Sequence, residues 1–265
     1  MKIKEIVSAL ERFAPLPLQD GFDNAGLQIG LTEVEATGAL LCLDVTEAVL
    51  DEAIALGHNL VISHHPLIFK GYKSITGKDY VERCILKAIK NDIVIYSAHT
   101  NLDNAYGGVN YKIAEKIGLK NLQVLEPKEN SLQDDLMQAG AGIVGELDEP
   151  ETELEFLKRI KKTFEVGCVR HNRLTGREIQ KVALCGGAGA FLLPPAIRAG
   201  ADVFITGEIK YHDYFGHEGD ILMAEIGHYE SEQYTKEIFY SIIRDLFPNF
   251  ALQSSKINTN PIKYL

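Results

Sequence analysis

The stretch Leu60-Val61-Ile62-Ser63-His64-His65-Pro66 decides the fold. Three apolar residues, two of them β-branched, run straight into two histidines and a proline. The run predicts a buried strand, and proline, having no N–H to donate, stops the ladder behind it. Open α/β sheets place their ligand sites at such C-terminal strand ends. Taken alone, the pair would suit an ordinary turn as well. However, histidine is the commonest metal ligand, and two in succession diverge in direction, which suits two neighbouring ions better than one.

Upstream, Gly38–Leu43 predicts a second apolar strand and Thr46–Leu56 a helix, with Thr46 or Asp44 able to cap it and Gly57 to close it. Strand, helix and strand make a right-handed βαβ unit with parallel strands. Residues 79–90 predict another helix and Ile93–Tyr96 another strand, which exits into Ser97-Ala98-His99-Thr100-Asn101-Leu102-Asp103-Asn104. A histidine and a carboxylate four apart thus stand at a second strand exit. An amphipathic helix is expected over 3–13. Gly21–Gly30 reads as a glycine-punctuated turn, with Asp23 and Asn24 held between hydrophobes.

The chain then repeats itself. Leu41-Cys42 matches Leu184-Cys185, Ala53-Ile54 matches Ala196-Ile197, Gly57 matches Gly200 and Ile62 matches Ile205, all at an offset of 143. Asp92–Asp103 likewise resembles Asp220–Glu232, which sets His99 and Asp103 against His228 and Glu232. The expected architecture is therefore α/β, with two similar lobes related by internal duplication and a dinuclear metal site in the cleft between them. The lobes are placed at 1–126 and 127–228, with a linker over 127–135. A C-terminal helix and tail over 229–265 is expected to close the cleft and pack back on the first lobe. One helix over 229–246 would carry Phe239, Ile242 and Leu246 on one stripe with His228 and Glu232.

At 265 residues, 46% hydrophobic and 24% charged, the chain has the make-up of a soluble globular protein. A net charge of −10 argues against nucleic acid and anionic membrane as partners. The start, Met1-Lys2-Ile3-Lys4-Glu5, lacks a signal peptide's apolar block. Cys42, Cys84, Cys168 and Cys185 show no C-x-x-C spacing, so a cytoplasmic setting is expected.

His64, His65, Asp103, His228 and Glu232 make a nitrogen and oxygen donor set. Without thiolates it disfavours structural zinc and suits two catalytic divalent ions, whether zinc, manganese, iron, cobalt or nickel. His99 and His212 are the candidate catalytic residues, His99 in acid–base work or in orienting a ligand, His212 in touching substrate. Gly186-Gly187-Ala188-Gly189 is a candidate phosphate cradle or a plain tight turn.

The segments ISHHPLIFKG, SAHTNLDNAYGGVN, ITGEIKYHD and GHYESE resemble those of the GTP cyclohydrolase 1 type 2 family, also called the NGG-interacting-factor-like family. The resemblance covers nearly the whole chain, in a short form without the inserted domain of longer members. It implies that the same five residues hold two metal ions, that the fold is two α/β lobes, and that the chains assemble as a toroidal homohexamer. It also implies hydrolytic opening of the imidazole ring of GTP, or action on a related small phosphorylated compound. A ring-shaped interaction protein and a two-metal phosphoesterase clamped by Lys70, Lys73 and Lys210 are the competing readings. Phe22 stands where the family often has tryptophan.

Overall fold

The computed structural model describes residues 1–128, 139–217 and 219–265. Its helices are α1 (Ile3–Phe13), α2 (Glu47–Leu56), α3 (Tyr80–Lys90), α4 (Thr100–Asn104), α5 (Val109–Ile117), α6 (Glu153–Thr163), α7 (Leu193–Arg198), α8 (His228–Glu232) and α9 (Thr235–Leu246). The strands are β1 (Gly26–Ile29), β2 (Ala39–Cys42), β3 (Leu60–Ser63), β4 (Val94–Ser97), β5 (Lys120–Pro127), β6 (Gly140–Thr152), β7 (Arg170–His171), β8 (Glu178–Cys185), β9 (Val203–Thr206), β10 (Leu222–Glu225) and β11 (Leu252–Ser254).

The chain divides into two compact units, one of residues 1–102 with 235–261, the other of 103–234 with 262–265. The first holds a sheet in the order β1-β4-β3-β2-β11, parallel except for β1. Every residue of β2, β3 and β4 is buried, as strands covered on both faces must be. Leu40, Cys42, Val61 and Ile95 join one core with Val49, Leu50 and Ala53 of α2 and Cys84, Ile85 and Ala88 of α3. Alternation along the strands leaves Leu41, Ile62 and Tyr96 for the opposite face. Thr46 caps α2 by accepting from the Val49 N–H, and Gly57 ends it in the left-handed conformation at φ 68°. Asp44, the other cap candidate, is used elsewhere.

The second unit's sheet runs β5-β6-β8-β9-β10-β7, with β8, β9 and β10 mutually parallel. Ala183, Cys185, Phe204 and Met223 pack with Leu193 and Ala196 of α7. In the first sheet Ala39 stands beside Leu60 and Cys42 beside Ser63. In the second, Val182 stands beside Val203 and Cys185 beside Thr206. Each pairing in one sheet becomes the other when 143 is added to both members.

Two expectations meet a different arrangement, and a third lies largely outside the described residues. The first unit ends at Leu102, not at 126, because α5 packs on β6 and β8 and β5 pairs with β6. The linker expectation over 127–135 falls largely outside the described residues. Its flanks, Pro127 and Gly140, are paired strand residues of one sheet. The single C-terminal helix is two, α8 and α9, parted at Gln233 and Tyr234. Gln233 donates to the Phe164 carbonyl and Tyr234 to that of Thr163, which ties α8 to the second unit. The buried face of α9 is Thr235, Ile238, Phe239 and Ile243, while Leu246 is exposed. This helix does pack in the first unit, against α1, β2 and β11. Among the described residues no helix is long and apolar enough to cross a membrane.

Candidate metal centre

In the first unit the ladder carries on past β3. The N–H groups of His64 and His65 donate to Cys42 and Leu43 carbonyls, so both rings leave a rigid backbone. Ser63 Oγ, 2.8 Å from Ser97 Oγ, donates to the His65 carbonyl and fixes the turn. His64 is fully buried, and its Nδ1 lies 2.9 Å from the Ala98 carbonyl oxygen. A carbonyl only accepts, so Nδ1 carries the proton and Nε2 the lone pair of the neutral ring.

His65 Nδ1 lies 2.7 Å from Asp44 Oδ1, and His99 Nδ1 lies 2.7 Å from Asp23 Oδ1. The three rings crowd together with centroids 4.9, 5.2 and 5.4 Å apart. One ring nitrogen from each of His64, His65 and His99 lies within 4.8 Å of the others. Asp23 has no exposed side-chain surface. Burial alone would raise its carboxyl, but hydrogen bonds from His99 and Thr100 more than reverse this and hold it at about 2. For Asp44 burial also opposes the charge, and the His65 contact again prevails, lowering the carboxyl below its ordinary range.

In the second unit His228 opens α8 and Glu232 follows one turn later, with His228 Nε2 3.2 Å from Glu232 Oε2. His228 Nδ1 is 2.9 Å from Glu208 Oε1, just past β9. Glu232 is 3% exposed, and an oxygen of Asp103 lies within 4.8 Å of one of its own. Asp103 stands on α4, and its carbonyl accepts from Asn110.

The glycine turn after β8 serves this carboxylate. Gly186 N–H donates to Asn110, Gly187 to Ser231 and Gly189 to Thr206, so three donors are already committed, and of the two alternatives the tight turn is the one these bonds favour. Gly187 has φ +60°, and a Cβ there would come within 2.3 Å of Glu232 Oε1. The turn is glycine-rich so that Glu232 can approach it.

His212 lies elsewhere in the second unit, exposed on the turn Tyr211–Tyr214 and in ring contact with Tyr211 and Phe215. It joins none of the metal-capable groups among the described residues. Sequence reasoning passed over Asp44 as a ring partner and gave Asp23 and Glu208 no role. Asp23 left a trace as a charged residue held between apolar neighbours in a glycine loop, and Glu208 as part of the segment ITGEIKYHD.

The donor set fits a divalent metal. All its members are nitrogen or oxygen donors. Each imidazole is held at Nδ1 by an acceptor, a carboxylate in three cases out of four, which is how metal-binding histidines are oriented. These buried His, Glu and Asp groups can hold a metal ion.

Several known proteins are similar to this chain. A relative from Clostridium perfringens, named GTP cyclohydrolase 1 type 2 homolog, is 38% identical over 88% of this chain and 87% of its own. One of the same name from Lactococcus lactis is 34% identical over 98% of both. The crystal structure of Staphylococcus aureus protein SA1388 superposes with a TM-score of 0.90 at 30% identity, covering 100% of this chain and 99% of that one. The sequence profile of Duf34/NIF3 (NGG1p interacting factor 3) matches residues 1–261, and the chain belongs to that family.

Proposed function

We propose that the protein is a divalent-metal-dependent hydrolase whose dinuclear centre is held by His64, His65, Asp103, His228 and Glu232. The carrying observation is that every imidazole of the set is fixed at Nδ1 and so offers Nε2. His64 and His65, adjacent in the chain with ring centroids 4.9 Å apart, would each offer one nitrogen to the metal. Glu232 and Asp103 would supply the carboxylate charge that neutralises the metal. Bound divalent ions bring the pKa of a coordinated water towards neutrality and polarise a carbonyl-like or phosphoryl oxygen.

His99 takes and returns the proton, with Asp23 orienting its ring. His212, exposed beside Tyr211 and Phe215, contacts substrate. The substrate is a nucleotide or a related small phosphorylated compound, a reading supported by the name of the Clostridium and Lactococcus relatives. Two duplicated lobes, a homohexameric assembly and a cytoplasmic setting complete the proposal. The common register of β2/β3 and β8/β9 supports the duplication.

The test is turnover of GTP and a panel of nucleotides and phosphomonoesters by protein loaded in turn with zinc, manganese, iron, cobalt and nickel. Activity that chelation abolishes and metal restores supports the proposal. Equal turnover after chelation removes the His/carboxylate cluster as the catalyst.

A further inference from the structure

Asp44 uses both of its oxygens. Oδ1 meets His65 Nδ1 at 2.7 Å, and Oδ2 accepts from the Thr259 hydroxyl at 2.5 Å. Thr259 belongs to the C-terminal segment, far from Asp44 in sequence but in the same unit. Its arrival follows from the sheet. β11 pairs parallel to β2, with Ser254 beside Leu41. A parallel neighbour leaves the sheet at the same end, so the residues after β11 emerge where those after β2 do. Asp44 comes three residues after Leu41, and Thr259 five after Ser254.

Three further bonds secure the segment before it gets there. Ser255 N–H donates to the Leu41 carbonyl at 2.7 Å, and Ser255 Oγ to Glu52 Oε2 at 2.5 Å. Lys256 N–H adds a bond to Glu52 Oε1 at 3.0 Å. Thr259 is thus delivered by a strand and anchored to α2.

We infer that Thr259 is a positioning residue for the metal centre, acting through Asp44 on His65. This inference rests on the reading of His65 as a metal ligand. A carboxylate bonded through one oxygen can swing about its Cβ–Cγ bond and carry the imidazole with it. Bonded through both, it holds the ring plane, and with it the direction of Nε2. The hydroxyl's hydrogen bond goes to Asp44 and not to a candidate ligand, and it is through this second bond that it contributes.

The test is Zn2+ affinity of the full-length chain, measured by competition with a chromophoric chelator, for wild type, Thr259→Val, Thr259→Ser and Asp44→Asn. Valine keeps the shape and removes the donor, whereas serine keeps the donor. Partners of this kind are worth about 10–100-fold in metal affinity, and Thr259, one bond further out, falls at about 10-fold. The expected result is a loss of about 10-fold for one ion in Thr259→Val and wild-type affinity in Thr259→Ser. The metal-depleted Thr259→Val protein should unfold at the wild-type temperature, which a merely structural role would not permit. Asp44→Asn should lose at least as much affinity, since an amide holds the imidazole without charge. Wild-type affinity in Thr259→Val or Asp44→Asn, or an equal loss in Thr259→Ser, overturns the inference while leaving the metal reading in place. A wild-type chain that takes up no Zn2+ overturns both.

Discussion

Glu232 is nearly buried beside His228, and the adjacent glycine turn leaves no room for a Cβ. A carboxylate so placed is costly unless it is paired or bound to metal. Glu232→Gln keeps the shape and removes the charge. It should fold yet lose at least one ion per chain, whereas His217→Ala should lose none; elemental analysis of the purified variants checks both. Unchanged binding in Glu232→Gln would leave Asp103 as the carboxylate that serves the metal. Asp23 offers a test in pH. Its folded carboxyl, at about 2, lies below the ordinary 3.8, so the stability it contributes is complete above 3.8 and fades as pH falls towards 2. Asp23→Asn should cost on the order of 2 kcal/mol at pH 6 and nothing near pH 2, read from urea unfolding at each pH. The donors themselves were legible because their spacing is local, adjacent in His64-His65 and one helical turn in His228 and Glu232. Their partners were not, since Asp44, Glu208 and Asp23 lie 21, 20 and 76 residues from the rings they hold. Such pairings are made only by the tertiary fold.

The elements were read most securely where a signal is local. Thr46 caps α2 and Asp79 caps α3 from the positions that helix-start chemistry requires. The long C-terminal helix was misjudged because periodicity runs on through Gln233 and Tyr234, while the hydrogen bonds that divide it go to Phe164 and Thr163. The turn before α3 carries a prediction of its own. Glu82 accepts from Lys78 N–H, Thr76 N–H and Thr76 Oγ1, and these bonds, Lys78 first, hold its carboxyl below the usual 4.5. Glu82→Gln should therefore lower the melting temperature at neutral pH. The deficit should shrink as acid carries the wild type through its depressed carboxyl pKa, as calorimetry across pH 7 to 3 would record. At the glycine turn, Gly187→Ala meets both a left-handed backbone and the Glu232 oxygen. It should cost more than about 1 kcal/mol in stability and weaken metal uptake as well, checked by unfolding and metal titration together.

For the molecule as a whole, β2, α2, β3, α3 and β4 in their order and a second α/β region after them were legible from hydrophobic runs and their polar exits, whereas the edge strands β5 and β11 were not. The division at Leu102 was not, because α5 carries no mark of which sheet its apolar face will join. The register shared by β2/β3 and β8/β9 was implied by a constant offset in sequence, and the two sheets keep it. The central claim of the proposed function is that His64, His65, Asp103, His228 and Glu232 hold divalent metal, two ions to the chain. Elemental analysis of the purified chain, native and after reconstitution with divalent metal, tests it most directly. The account predicts about two ions per chain, lost on chelation and recovered on reloading; a metal content near zero even after reconstitution would contradict it.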